Sequence, residues 1–165
     1  MKIAFLIPST TRGRKWRKME DTYLYSIFGQ SFLNTISEDI EYTIYINIDI
    51  DDPIYRHNKE KNKFELLIGE KAKIKWIDDG QVQRGFLTLM WNYLFEKALE
   101  DNNDYFYQCG DDIWFENKDW IKECITQMKK LTTDGHEINF KLVGCSHAVF
   151  LPGYRASGTP FSFLT

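Results

Sequence analysis

The chain has 165 residues and a mass of 19.6 kDa, with 43% hydrophobic and 16% aromatic residues, which fits one domain (residues 1–165) and excludes intrinsic disorder. A net charge of −3 excludes the basic surface that binds nucleic acid, and no segment approaches the ~20 apolar residues of a membrane span. Three widely spaced cysteines, Cys109, Cys124 and Cys145, favour free thiols over disulfides or a zinc site. We therefore expect a cytoplasmic protein with neither a nucleic-acid partner nor a membrane span.

Strand-like and helix-like segments alternate along the chain. Apolar or alternating runs rich in β-branched and aromatic residues predict strands at 2–8, 41–49, 73–77, 105–109 and 140–151, the last as one strand or two short ones around Gly144. Apolar residues at helical spacing predict helices at 16–36, 56–70, 85–99 and 118–131, with Asn117 as the cap of the last. This order predicts an α/β fold, a three-layer α/β/α sandwich with a mostly parallel central sheet.

Ligands of such sheets bind outside the carboxyl ends of the strands, where this sequence places polar clusters. The first predicted strand is followed by hydroxyl groups, a glycine and two arginines, which can hold a diphosphate together with exposed backbone N–H groups. The alternative is a solvated basic helix start, although positive charge there opposes the helix macrodipole. The candidate phosphate-binding residues are Pro8, Ser9, Thr10, Thr11, Arg12 and Arg14.

Acidic residues follow the second predicted strand. Asp49, Asp51 and Asp52 can accept hydrogen bonds from a ribose hydroxyl or a base N–H. Asp49 and Asp51 also form a literal Asp-x-Asp, which competes for a metal-binding role. Because Asp52 precedes Pro53, the cluster is equally typical of a plain turn.

A second acidic pair, Asp111 and Asp112, follows the buried run YFYQC and Gly110. Carboxylates held rigidly at the end of a strand are the hard oxygen ligands that Mg²⁺ or Mn²⁺ prefers, and a cation would offset their mutual repulsion. The alternative is a strand-terminal turn, which aspartate also favours. His147 could serve as a third metal ligand, but a lone histidine in a strand is more often structural.

The block from residue 84 to residue 112 resembles the central signature of nucleotide-diphospho-sugar glycosyltransferases with the GT-A, Rossmann-like fold. The matching positions are Arg84, Gly85, Asn92, Ala98, Tyr105, Asp111 and Asp112. The opening run KIAFLIPST looks like the first strand of that family. Two positions depart from its pattern, since Gly110 stands where an Asp is often found and Trp91 where an Arg is frequent.

The resemblance implies roles for individual residues. Asp112 would bind the metal, and Asp111 would lie beside the ribose or the metal. Arg84 would lie near the diphosphate or brace the acidic motif, and Asn92 belongs to the implied nucleotide-sugar site. Asp49 or Asp51 would contact the base or the ribose.

Together these features predict a metal-dependent glycosyltransferase that moves a sugar from a UDP- or GDP-sugar to a carbohydrate or other hydroxyl acceptor. Residues 1–112 would form the nucleotide-binding half and residues 113–165 part of the acceptor side. The catalytic base is not identified, because the only carboxylates after Asp112 are Glu116, Asp119, Glu123, Asp134 and Glu137, in helix-surface or loop sequence.

Other classes of nucleotide-binding protein fit less well. The chain has PSTTRGRKW after its first strand, where a dinucleotide-dependent oxidoreductase needs Gly-x-Gly-x-x-Gly. The glycine-rich loop of a sugar-nucleotide pyrophosphorylase and the Gly-Lys-Ser/Thr motif of a P-loop enzyme are missing too. The remaining alternative is a catalytically incomplete domain that binds a nucleotide-sugar or offers an interaction surface.

Overall fold

The computed structural model of the protein describes residues 1–78, 80–82 and 84–128 with their side chains, residues 129–130 as helix, and four later segments as strands. The strands are β1 (Lys2–Pro8), β2 (Glu41–Asn47), β3 (Lys73–Ile77), β4 (Tyr105–Gln108), β5 (Leu142–Cys145), β6 (Phe150–Leu151), β7 (Tyr154–Arg155) and β8 (Phe161–Leu164). The α-helices are α1 (Gln30–Thr35), α2 (Asn58–Ile68), α3 (Leu87–Glu100) and α4 (Trp120–Lys130).

Six of these strands form one sheet in the order β3-β2-β1-β4-β8-β5. The first four are parallel, and β1 lies between β2 and β4, so that Ile3 pairs with both Tyr42 and Tyr105. Strand β8 runs antiparallel to β4 and β5, while β6 and β7 form a separate antiparallel pair. The predicted α/β fold with a parallel sheet is confirmed for the first four strands.

After the exposed Lys2, strand β1 is apolar, which suits a strand that is buried on both faces of the sheet. On one face, Phe5 packs edge-on against Phe28 and Phe32, in a cluster that also contains residues of α2 and α4. On the other face, Leu6 packs with Leu94 and Ala98 of α3. Successive side chains of β1 point to opposite faces of the sheet, so they pack alternately into two separate hydrophobic clusters.

The helix predicted over 16–36 was wrong as a single element. A 3₁₀ turn at Met19–Asp21, a π-helix at Leu24–Gly29 and α1 replace it, and Trp16 lies in the loop before them. The 3₁₀ turn ends where Thr22 Oγ1 donates a 2.7 Å hydrogen bond to the Met19 carbonyl. Gly29 lets the segment approach α2 closely, since a Cβ there would lie 2.8 Å from Leu67 Cδ2.

The other predicted elements differ from the observed ones in their bounds by a few residues or in the number of strands. Helix α4 begins at Trp120, so Asn117 lies too early to be its cap. The segment predicted at 140–151 is divided between β5 and β6, and β8 was not predicted. Within the described part of the chain, no helix combines the length and apolar character needed to cross a membrane.

Candidate functional site

A pocket of about 400 Å³ lies at the carboxyl edge of the sheet, beside the ends of β1, β2 and β4. Strands β2 and β4 flank β1 on opposite sides, so their connections diverge there and leave the crevice in which ligands of open α/β sheets bind. The pocket is lined by Pro8, Ser9, Thr10, Arg12, Arg14, Trp16, Tyr23, Asp49, Arg84, Gly85, Leu87, Met90 and Asp111.

A short hydrogen bond joins the ends of β1 and β4 inside this pocket. Ser9 Oγ donates to Asp111 Oδ2 at 2.5 Å, and the hydroxyl of the buried Tyr55 lies 3.0 Å from Ser9 Oγ. Burial raises the pKa of Asp111 to about 6; the Ser9 hydrogen bond opposes this shift, and the neighbouring Asp112 carboxylate adds to it. Asp111 is therefore a carboxylate whose charge is poorly stabilised in the free protein.

Gly110 allows the Asp112 carboxylate to fold back over the backbone. A Cβ at position 110 would lie 2.6 Å from Asp112 Oδ1, so any side chain there would displace that oxygen. The glycine therefore lets the Asp112 carboxylate keep its present position.

Asp111 and Asp112 suit a divalent cation by the chemistry of their donors. Neither makes an ion pair with a described lysine or arginine, and both offer hard carboxylate oxygens. Across the described residues, no group of three or more His, Cys, Asp or Glu side chains could hold a metal. Two carboxylates still fit Mg²⁺ or Mn²⁺, which take their other ligands from waters and phosphate oxygens. His147, the proposed third ligand, lies outside the described residues.

Two of the acidic residues after β2, Asp49 and Asp51, form ion pairs with the side chain of Arg12. Arg12 Nε lies 3.5 Å from Asp49 Oδ2, and Arg12 Nη2 pairs with the Asp51 carboxylate and donates to the Asp51 carbonyl at 2.7 Å. The hydrogen bond from Arg12 lowers the pKa of Asp51. Arg84 Nε lies 3.8 Å from Asp49 Oδ2, so Asp49 stands between two guanidinium groups.

Asp52, which the sequence grouped with candidate ligands of a nucleoside, is a buried structural residue. Its carboxylate accepts hydrogen bonds from Thr11 N at 2.7 Å, Thr11 Oγ1 at 2.6 Å, Ile54 N at 3.0 Å and Tyr55 N at 2.8 Å. No part of Asp52 is exposed to solvent. It therefore ties the loop after β1 to the loop after β2 instead of facing a ligand.

The structure brings most of the predicted binding residues together. Eight of them line the pocket: Pro8, Ser9, Thr10, Arg12, Arg14, Asp49, Arg84 and Asp111. Asp51 lines an adjoining cavity of about 180 Å³ that shares Asp49 and Arg84 with the pocket. Thr11 is buried against Asp52, and Asn92 is exposed on α3; neither these two nor Asp112 is part of the pocket lining.

Sequence reasoning missed the aromatic wall of the pocket. The rings of Trp16 and Tyr23 meet edge to face with centroids 4.8 Å apart, and the Arg14 guanidinium lies 5.4 Å and 5.2 Å from them. Both residues fall within the helix predicted at 16–36, which gave no reason to place their rings at a pocket. The available signal was the basic run at residues 12–15 followed directly by Trp16, shortly after a predicted strand.

The carboxylates after Asp112 that the structure describes do not line the pocket, so the catalytic base remains unidentified. Glu116, Asp119 and Glu123 are exposed, and Asp119 accepts a 2.8 Å hydrogen bond from Ser37 Oγ. Asp134 and Glu137 fall outside the described residues.

The sequence matches no protein-family model and no curated protein.

Proposed function

We propose that the protein is a metal-dependent glycosyltransferase that moves a sugar from a nucleoside diphosphate sugar, with UDP or GDP as the nucleotide, to a hydroxyl group of a carbohydrate or other acceptor. The observation that carries the proposal is the Ser9–Asp111 contact at the junction of β1 and β4, inside a pocket lined by three arginines. The proposal includes a three-layer α/β/α sandwich of the GT-A type, with helices packed on both faces of the sheet.

Each part of the donor has a matching group in the pocket. The nucleoside would lie near Asp49 and Asp51, whose carboxylates can accept hydrogen bonds from ribose hydroxyls or a base N–H. The arginine-lined part of the pocket would receive the diphosphate, because a guanidinium group can bind phosphate oxygens in a bidentate manner. Asp111 and Asp112 would hold Mn²⁺ or Mg²⁺, which would stabilise the charge on the diphosphate leaving group.

The proposal divides the chain into a nucleotide-binding half, residues 1–112, and part of an acceptor side, residues 113–165. We place the enzyme in the cytoplasm, because Cys109 is a buried thiol outside any disulfide, the state that a reducing compartment maintains.

The test is the thermal stability of the protein with UDP, GDP and their sugars, with and without Mn²⁺. A ligand that binds only the folded state raises the melting temperature. We expect a rise that needs both nucleotide and metal and that is lost in Asp112→Ala. The matched control is Glu96→Ala, which removes an exposed carboxylate of α3 that does not line the pocket. If none of these ligands raises the melting temperature of the wild-type protein, with or without Mn²⁺, the proposal is refuted.

One observation favours the second candidate, a domain that binds a nucleotide-sugar without transferring it. Glu116, Asp119 and Glu123, the described carboxylates that follow Asp112, all lie outside the pocket lining, so the described residues offer no base on the acceptor side. Donor hydrolysis and sugar transfer should be assayed for every donor that stabilises the protein. Metal-dependent binding without turnover would select the binding domain.

A further inference from the structure

The three arginines that line the pocket have different electrostatic environments. Arg12 pairs with Asp49 and Asp51, and Arg84 pairs with Asp49. Arg14 makes no ion pair with any carboxylate in the described residues. The positive charge of Arg14 is therefore the least compensated of the three, and an anion entering the pocket would gain most from approaching it.

Two aromatic rings hold Arg14 in place. Its Cζ atom lies 5.4 Å from the centroid of Trp16 and 5.2 Å from that of Tyr23, within the range of cation–π attraction. Trp16 packs partly buried against the hydrophobic core, so the wall is anchored to the fold. A cation–π contact does not use up the N–H donors of a guanidinium, which remain available for hydrogen bonds to oxygen.

The position of Arg14 relative to Asp111 is also informative. Arg14 and Asp111 line the same pocket, and Asp111 lies just beyond the end of β4. A phosphate oxygen between Arg14 and a cation held by Asp111 would be attracted to both. Arg12, by contrast, lies on the β2 side, where it joins the loop after β1 to Asp49 and Asp51.

We infer that Arg14, oriented by Trp16 and Tyr23, is the residue that binds the diphosphate, whereas Arg12 organises the acidic loop and does not contact the ligand's phosphates. The inference rests on the proposed function for the identity of the anion, a nucleoside diphosphate. Trp16 and Tyr23 are positioning residues, since they act through the guanidinium of Arg14.

The experiment measures the affinities of UDP, GDP, uridine, guanosine and inorganic pyrophosphate by calorimetry in the presence of Mn²⁺. Charge-assisted hydrogen bonds to phosphate contribute enough that Arg14→Gln should weaken diphosphate binding about tenfold or more. The same variant should leave nucleoside affinity at the wild-type value. Arg12→Gln should weaken the nucleoside and the nucleoside diphosphate by the same factor, because it disturbs the loop that carries Asp49 and Asp51.

The matched control is Lys15→Gln, which removes one positive charge from the same loop at an exposed residue that does not line the pocket. It should change no affinity. Tyr23→Phe keeps the ring and should bind diphosphate like wild type, while Tyr23→Leu removes the ring and should weaken diphosphate binding about two- to fivefold. Rescue by phenylalanine separates positioning of Arg14 from a general structural role.

The outcomes distinguish the inference from the proposed function. Wild-type binding of UDP or GDP that Arg14→Gln leaves within about twofold would overturn the inference and leave the proposed function standing. Binding of pyrophosphate alone, lost in Arg14→Gln, would support the anion site and refute the nucleotide-sugar proposal. If wild type binds neither a nucleotide nor pyrophosphate, both are overturned.

Discussion

Two acidic groups lie at the same edge of the sheet, and the fold treats them differently. The loop cluster, Asp49, Asp51 and Asp52, is compensated by Arg12 or by a full set of hydrogen bonds. The strand-end pair, Asp111 and Asp112, has no ion-pair partner in the described part of the chain. The comparison shows that carboxylates in similar sequence contexts have different roles. The loop cluster stabilises the loops, whereas the strand-end pair carries negative charge that a ligand could offset.

The largest effect should come from breaking the loop cluster at Asp52. In Asp52→Ala, the N–H groups of Thr11, Ile54 and Tyr55 would lose a buried acceptor, so we expect a loss of about 3 kcal/mol in the free energy of unfolding. Urea denaturation followed by circular dichroism measures this change. The control is Asp51→Ala, which removes an exposed carboxylate and should leave the unfolding midpoint near that of wild type. Equal effects of the two variants would contradict the structural role of Asp52.

A smaller effect should appear in the strand-end pair as a dependence of stability on pH. The folded pKa of Asp111 is about 6, above its ordinary value of 3.8, so the native state binds more protons than the unfolded state between these values. The contribution of Asp111 to stability therefore falls as the pH rises from about 4 to about 6 and is constant above that. Asp111→Asn should remove this fall and be more stable than wild type at pH 7.

Denaturation midpoints of wild type and Asp111→Asn, compared from pH 4 to pH 8, test the sign of the effect. Asp51→Asn is the control, because Arg12 lowers the pKa of Asp51 below its ordinary value of 3.8 and the contribution of Asp51 to stability is therefore lost only at a pH below this series. The difference between Asp51→Asn and wild type should stay constant over the series. A constant difference between wild type and Asp111→Asn over the whole range would contradict the raised pKa.

The smallest effect should come from Ser9, whose hydrogen bond limits the rise in the pKa of Asp111. The hydrogen bond from Ser9 Oγ holds the pKa of Asp111 down, so Ser9→Ala should raise that pKa and extend the fall in stability to higher pH. The same pH series measures the shift. Ser26→Ala removes a serine that donates to the Thr22 carbonyl and should leave the pH dependence unchanged. No difference between the two variants would show that Ser9 does not control Asp111.

The sequence predicted the four parallel strands well because their signals are local. Strands β1 and β3 have the predicted bounds, since short apolar runs between turn residues depend little on distant contacts. Strand β8 was missed because its place between β4 and β5 depends on pairing across the sheet, which no pattern within the segment specifies. The segment 16–36 was predicted as one helix but is divided into three helical pieces. In two places a hydroxyl side chain, that of Thr22 or Ser31, donates a hydrogen bond to the backbone of the same segment, which competes with regular helix formation.

For the candidate site, the amino-acid sequence by itself determined which residues reach the carboxyl edge of the sheet. Polar residues that follow buried parallel strands must emerge there, and six of those predicted line one pocket: Ser9, Thr10, Arg12, Arg14, Asp49 and Asp111. Only the tertiary structure decided that Asp52 is buried, that Arg12 is paired and that Trp16 and Tyr23 form a wall beside Arg14. The physical reason is that hydrogen bonding and charge compensation depend on distances between segments far apart in the chain, which residue order along the chain does not encode.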